Sequence, residues 1–381
     1  MESVKVLYFV DRLLIGGIQK LIMDWATTFD KNLIQLDFLL LDDGTHYELE
    51  ETLKKLGCNV YKLKGMWIRK PTDFIKYAKL LDDFFREHHD YKVVHLHSSS
   101  KNYMVLKYAK KYNIPIRIAH SHNIDFQSKN PMKKIIGNLL KKSLIKYSTD
   151  YFACSELAGK WLFGKDIVNS KMFKIIHNSI DLEKFKYNEN IRKKLRDELY
   201  IEDDEIVIGH VGRFTNQKNH TFLIDIFNEI NKINNRSKLL LVGTGPLENE
   251  IKEKVTRLRL EDRVIFLGFK SNINEYMQAM DIFVFPSLYE GLGIVLIEAQ
   301  ASGLKCFTSK DVVPYEANIS ENLNYISLND SAVIWANKIL ENTYNRDCNE
   351  NIIKNKEYDI NYTVKYLQDF YMKEERINEK N

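Results

Sequence analysis

Short β-rich runs separated by longer amphipathic stretches constrain this chain most, because the pattern occurs twice. In the first half the runs are VKVLYFV (4–10), LDFLLL (36–41), NVYKL (59–63), VVHLH (93–97), IRIAH (116–120), YFACS (151–155) and FKIIH (173–177). Helical periodicity fills most of the gaps, as in DFIKYAKLLDDFFREH (73–88). Strands alternating with helices build parallel sheets from βαβ units. A charged stretch without a strand, EKFKYNENIRKKLRDELYIEDD (183–204), interrupts the pattern. The pattern restarts with IVIGHVG (206–212), KLLLVG (238–243), RVIFLG (263–268), DIFVFP (281–286) and KCFTS (305–309).

The chain therefore reads as two α/β domains, each a doubly wound parallel sheet of Rossmann-like type. The expected division is 1–182, a linker over 183–204, and 205–355. A charged helical segment over 356–381 is expected to pack back toward the first domain. Two such domains in tandem face across a cleft, and ligands bind where the carboxyl ends of the strands meet it. At 381 residues, 44% hydrophobic and 28% charged, the chain has material for two cores.

Several function classes are disfavoured at once. A net charge of +4 is too small to point to nucleic acid. Cys58, Cys154, Cys306 and Cys348 form no CxxC pair and match no zinc spacing. Scattered thiols suit a reducing compartment. The N-terminus lacks a basic region and a cleavage site, and no apolar run reaches the roughly 18 residues of a spanning helix. A cytoplasmic protein without a metal site is expected.

Four short stretches carry phosphate-type chemistry. GRFTNQK (212–218) follows a strand, and Arg213 and Lys218 flank its polar turn. They either grip a diphosphate, Arg as a fork and Lys as a point charge, or are solvated surface cations. VGTGPLENEI (242–251) is strand, glycine turn and helix, read equally as a ligand approach or a tight structural turn. VDRLLIGGIQK (10–20) places Gly16 and Gly17 after the first strand. It is neither GxGxxG nor a Walker sequence, so a dinucleotide-binding dehydrogenase is disfavoured. Finally, EGLGIVLIEAQASGL (290–304) puts Glu290 in a glycine loop and Glu298 on the helix that starts near Ile294. The free N–H groups of that helix start favour an anion, and carboxylates accept well from sugar hydroxyls.

Taken in order, Gly16-Gly17, HSHN (120–123), HNSID (177–181), GRFTNQK, VGTGPLENEI, FLGF (266–269) and EGLGIVLIEAQASG span the chain. Together they resemble the retaining family 4 glycosyltransferases of GT-B fold. ACSELAGKWLFG (153–164) and QKNH (217–220) resemble in particular the EpsF-like enzymes of exopolysaccharide and capsule synthesis. The resemblance implies roles position by position. Arg213 and Lys218 match the residues on the donor diphosphate, and Gly17 a backbone contact to the same phosphates. Lys270 falls where the main chain meets the base. Glu298 matches the ribose ligand and Glu290 a ligand of the transferred sugar. The backbone of Leu292, Gly293 and Ile294 falls beside the sugar and distal phosphate. His122 matches the active-site histidine, with His120 as a weaker candidate. Gln19 stands where many members have Glu, and Lys305 where Pro is common.

The expected reaction is sugar transfer with retention from a nucleotide sugar, UDP-linked by the EpsF-like likeness, to a saccharide or polyprenyl-diphosphate-linked acceptor. No cofactor is implied beyond the donor. Arg213, Lys218 and the helix start at Ile294 would stabilise the leaving diphosphate without a metal. The competing readings are a GT-B sugar-nucleotide epimerase and a non-catalytic sugar-nucleotide-binding component. Last, KNPMKKIIGNLLKKSLIKY (129–147) has no acid, and its apolar residues recur at helical spacing. It is either a surface helix with its apolar face in the core or a basic amphipathic helix in peripheral contact with an anionic membrane.

Overall fold

Apolar runs buried on both faces become the strands of two parallel sheets, as all-parallel sheets require. The computed structural model describes residues 3–13, 16–66, 72–123, 131–320, 322–341, 346 and 356–373. The chain divides into two units, Met1–Ser179 with Asp359–Asn381, and Ile180–Tyr358.

The first unit holds β1 (Val4–Val10), β2 (Ile34–Leu41), β3 (Val60–Leu63), β4 (Val93–His97), β5 (Ile116–Ser121), β6 (Asp150–Ala153) and β7 (Phe173–Ile175). They lie in the order β3-β2-β1-β4-β5-β6-β7, all parallel. The order reverses between β1 and β4, which makes their carboxyl ends the ligand crevice of a doubly wound sheet. The helix Ile360–Met372 belongs to this unit. Asp359 caps it by accepting from the Asn361 N–H at 2.8 Å. It buries Val364, Leu367 and Tyr371, and the Tyr371 hydroxyl meets that of Tyr8 on β1 at 2.8 Å. Residues 374–381 of the expected C-terminal segment lie outside the described residues.

The second unit holds β8 (Ile206–Val211), β9 (Ser237–Val242), β10 (Val264–Gly268), β11 (Ile282–Phe285), β12 (Lys305–Ser309) and β13 (Leu323–Ile326), in the order β10-β9-β8-β11-β12-β13. Successive side chains alternate between two cores. Val207, Leu240, Phe283 and Phe285 pack on one face, and Ile208, Leu239, Leu241, Ile282 and Val284 on the other. Here the switch lies between β8 and β11, the strands that feed GRFTNQK and SLYEGLG. The short strand β13, LNYI, was not anticipated.

The expected linker over 183–204 is corrected. It carries the helices Leu182–Phe185 and Glu189–Glu198, which belong to the second unit. Their charges have inward partners. Arg192 reaches one oxygen of Asp281 at 2.6 Å and Arg196 the other at 3.2 Å, and Asp281 also accepts from the Val207 N–H. The second unit therefore begins at Ile180 and not at 205, and it runs to Tyr358. Cys58, Cys154 and Cys306 are free thiols, and Cys348 lies outside the described residues. No helix among the described residues is long and apolar enough to cross a membrane.

Candidate active site

In the second unit the two loops at the β8/β11 switch are tied together. The Leu288 N–H donates to the Gln217 carbonyl at 2.8 Å, Gln217 Nε2 to the Tyr289 carbonyl at 2.9 Å, and Asn219 Nδ2 to the Pro286 carbonyl at 3.0 Å. These bonds bring Lys218 Nζ to Glu290 Oε1 at 2.6 Å, with the ammonium 4.5 Å from the centre of the Phe285 ring. Glu290 is 6% exposed, so its charge is balanced by a partner that is itself mostly covered. Arg213 is exposed, and among the described residues its guanidinium makes no ion pair.

Gly293 has φ of +79°, a left-handed turn that glycine adopts without strain. It begins the helix Ile294–Ala301, which has no side-chain cap and no acid in its first turn. The Leu296 N–H donates to the Gly293 carbonyl at 2.8 Å, and the N–H groups that open such an end can meet an anion. Leu292 is buried beside it, and Glu298 is buried one turn further on, 2% exposed. Lys270 follows β10 and lies 5.3 Å from the centre of the Tyr276 ring. The glycines of VGTGPLENEI have a packing role. A Cβ at Gly243 would fall 2.2 Å from the Gly212 carbonyl oxygen, and one at Gly245 would fall 2.5 Å from that of Phe214. The glycine turn thus holds the GRFTNQK loop closely from behind. Deeper still, His210 Nδ1 donates to the Val284 carbonyl at 2.8 Å, and His220 stacks on Phe214 at 4.1 Å. Burial pushes their pKa values down to about 4 and about 2.

Gly17 and His122 lie in the first unit. Gly17 is exposed at the start of the helix Gly17–Thr28, which again lacks a side-chain cap and a first-turn acid. Gln19 donates to the Arg12 carbonyl at 3.1 Å. His122 follows β5 and is one of four buried imidazoles among the described residues of this unit. His97 Nδ1 meets His122 Nε2 at 2.9 Å, and His95 Nε2 meets His120 Nδ1 at 3.0 Å. Each pair lies edge to edge, with centroids 5.2 Å apart, and the pairs stack at 4.0 Å and 4.1 Å. His95 Nδ1 meets the Tyr371 hydroxyl at 2.8 Å. Burial holds all four pKa values down, that of His122 to about 3, so they are neutral imidazoles. His95, His97 and His120 lie close enough to share an ion. The facing nitrogens of His95 and His120 point at each other, however, and make an N–H···N bond.

The sequence reading missed His95, His97, His210, His220 and Asp11. Asp11, just past β1, accepts from Ser98 and Asn102 and pairs with Lys101. The alternation in HLHS (95–98), which puts His95 and His97 on one face of β4, was the available signal.

Two families match along the chain: Glycosyltransferase Family 4 over residues 15–184 and Glycosyl transferases group 1 over residues 191–358. The putative glycosyltransferase EpsF of Bacillus subtilis is 32% identical over 88% of this chain and 86% of its own. The chain belongs to the family 4 glycosyltransferases. This glycosyltransferase is also 30% identical, over 58% of each chain, to the UDP-Gal:alpha-D-GlcNAc-diphosphoundecaprenol alpha-1,3-galactosyltransferase of Escherichia coli. Among solved structures it is similar to Anabaena HepE in complex with UDP and glucose. That likeness has a TM-score of 0.75 at 20% identity and covers 97% of this chain and 99% of HepE. The fold is GT-B, and the enzyme transfers a sugar from a nucleotide-sugar donor.

Proposed function

We propose that the enzyme transfers a sugar from a UDP-linked donor, with retention of configuration, to a saccharide or lipid-linked acceptor in exopolysaccharide or capsule assembly. The observation that carries this reading is the Lys218–Glu290 contact at the β8/β11 switch, beside an uncapped helix start. A cation for phosphate, a buried carboxylate for hydroxyls and a free helix end for the leaving diphosphate share one loop pair. Arg213 and Lys218 hold the diphosphate, with Gly17 as a further backbone contact. Glu298 takes the ribose and Glu290 the transferred sugar. The Leu292–Gly293–Ile294 backbone lies along the sugar and distal phosphate, and the main chain at Lys270 meets the base. His122 orients the sugar.

As the sugar–oxygen bond breaks, negative charge grows on the diphosphate, and Arg213, Lys218 and the helix start stabilise it. These groups suffice for transfer without a metal. The leaving phosphate takes the acceptor's proton on the face from which it departs. UDP is supported by the UDP donor in the name of the Escherichia coli relative and by the UDP bound in HepE.

The test is Arg213→Ala combined with Lys218→Ala. Transfer falls by orders of magnitude while the circular-dichroism spectrum is kept. Near-normal turnover sinks the diphosphate assignment. Metal independence is checked by turnover in excess EDTA.

The acceptor side is supported by the helix Pro131–Tyr147. Residues 129–130 of the expected basic stretch lie outside the described residues. Met132, Ile135, Ile136 and Leu139 are 46% to 65% exposed, while Leu144 is buried. Their i, i+3, i+4, i+7 spacing makes a solvent-facing apolar stripe on a helix without acids. An anionic membrane bearing a lipid-linked acceptor fits that stripe.

A further inference from the structure

We infer that His97 is a positioning residue for His122, fixing its ring and deciding which proton form its free nitrogen presents to the sugar. This rests on the reading that His122 touches the transferred sugar.

His97 ends β4 and His122 follows β5, two strands that run side by side. Among the described residues the His122 ring makes one hydrogen bond, between its Nε2 and His97 Nδ1, 2.9 Å long. The other nitrogen, Nδ1, is buried and has no hydrogen-bond partner among the described residues, and the same holds for Nε2 of His97. Two neutral rings in one N–H···N bond leave a linked choice. If His97 donates, the His122 proton sits on Nδ1, which then offers an N–H. If His122 donates, its Nδ1 offers a lone pair instead. A sugar hydroxyl at that nitrogen is therefore accepted or donated to according to how His97 is protonated. That nitrogen carries weight, because a buried polar group left unpaired is costly unless something comes to meet it.

The ring is also clamped from below. His122 stacks on His120 at 4.1 Å, and His120 stacks on Trp25 and bonds to His95. His97 in turn packs on Tyr8 at 4.6 Å and near Trp25. These contacts hold the plane of His122, but among them His97 makes the hydrogen bond that selects its tautomer.

The experiment compares His122→Ala, His97→Ala, His97→Asn, His97→Gln and the double alanine variant. The readouts are UDP release from UDP-glucose and UDP-galactose and the ¹⁵N spectrum of the His122 ring. Asparagine places an amide near the position of Nδ1, whereas glutamine reaches that of Nε2. His97→Ala lowers kcat by about 10²-fold, the cost of a misplaced catalytic contact, with donor KM little changed. His97→Asn recovers most of the loss and His97→Gln does not. The double variant is no slower than His122→Ala, because both act through one contact. Additive losses, or wild-type turnover by His97→Ala beside a crippled His122→Ala, overturn the inference. Unchanged His122 ¹⁵N shifts in His97→Ala overturn it without any assay of turnover. Full activity in His122→Ala instead overturns the reading of His122 itself.

Discussion

Glu290 and Glu298 are both buried, yet they face different demands. Glu290 is held by Lys218 at 2.6 Å, so whatever draws Lys218 to a phosphate also frees Glu290 for a hydroxyl. Glu298 lies on the helix itself, 2% exposed. Glu298→Ala accordingly weakens UDP binding about 10- to 100-fold by calorimetry, the size of a hydrogen bond to a charged group. Glu290→Ala leaves UDP affinity near wild type and lowers kcat. Equal effects of the two on UDP affinity would remove this division of labour. Lys218→Ala strands the Glu290 carboxylate and costs about 3 kcal/mol in urea unfolding. The buried histidines give a further prediction. Their folded pKa values, about 3 for His122 and about 4 for His210, lie below the unfolded value of about 6.5. Between these limits the unfolded chain binds more protons, so stability is complete above pH 6.5 and is lost as the pH falls below it. Each such histidine removes up to about 1.4 kcal/mol per pH unit. Urea midpoints should be level above pH 7.5 and fall between pH 6.5 and 5, above the usual carboxylate range. A flat profile across that window would contradict the neutral cluster.

At the scale of elements, the helix Pro131–Tyr147 carries the acceptor-side prediction. Ile135→Glu with Leu139→Glu breaks its exposed stripe without touching the buried Leu144. Binding to anionic liposomes at low salt should drop while turnover of soluble donor persists. Wild-type protein that ignores such liposomes refutes the membrane reading outright. Most strands were legible because runs such as VVHLH and LDFLLL are apolar on both faces. LNYI was missed because two of its four positions are polar or only partly apolar and it is flanked by Asn322 and Ser327. Residues 183–204 were misread because charge density resembles solvation. Only the fold shows Arg192 and Arg196 turning inward to Asp281. The GRFTNQK and SLYEGLG loops were readable as motifs, since their glycines, cations and carboxylates lie close in sequence. The imidazole pairs were not, because each joins residues 25 apart through the pairing of β4 with β5.

For the whole molecule, the two units differ in how the chain builds them. The second is one continuous segment, and its ends meet where the Ile180 N–H donates to the Tyr358 carbonyl at 2.9 Å. A fragment spanning 180–358 should fold alone and show a thermal shift with UDP, since Arg213, Lys218, Glu290 and Glu298 all lie within it. A fragment that folds but gives no shift would move donor binding onto the first unit. The first unit is discontinuous: Tyr8 and His95 find their hydroxyl partner, Tyr371, only in the helix near the end of the chain. During synthesis, β1 to β7 leave the ribosome long before that helix exists. The usual N-terminal-first order of domain maturation is thereby reversed. The nascent first unit must wait, its sheet uncovered along β1 and β4, until the second has been made in full. A chain stalled after Tyr358 and before the helix Ile360–Met372 would carry a complete second unit beside an unfinished first one, which makes that helix the piece that completes the first unit.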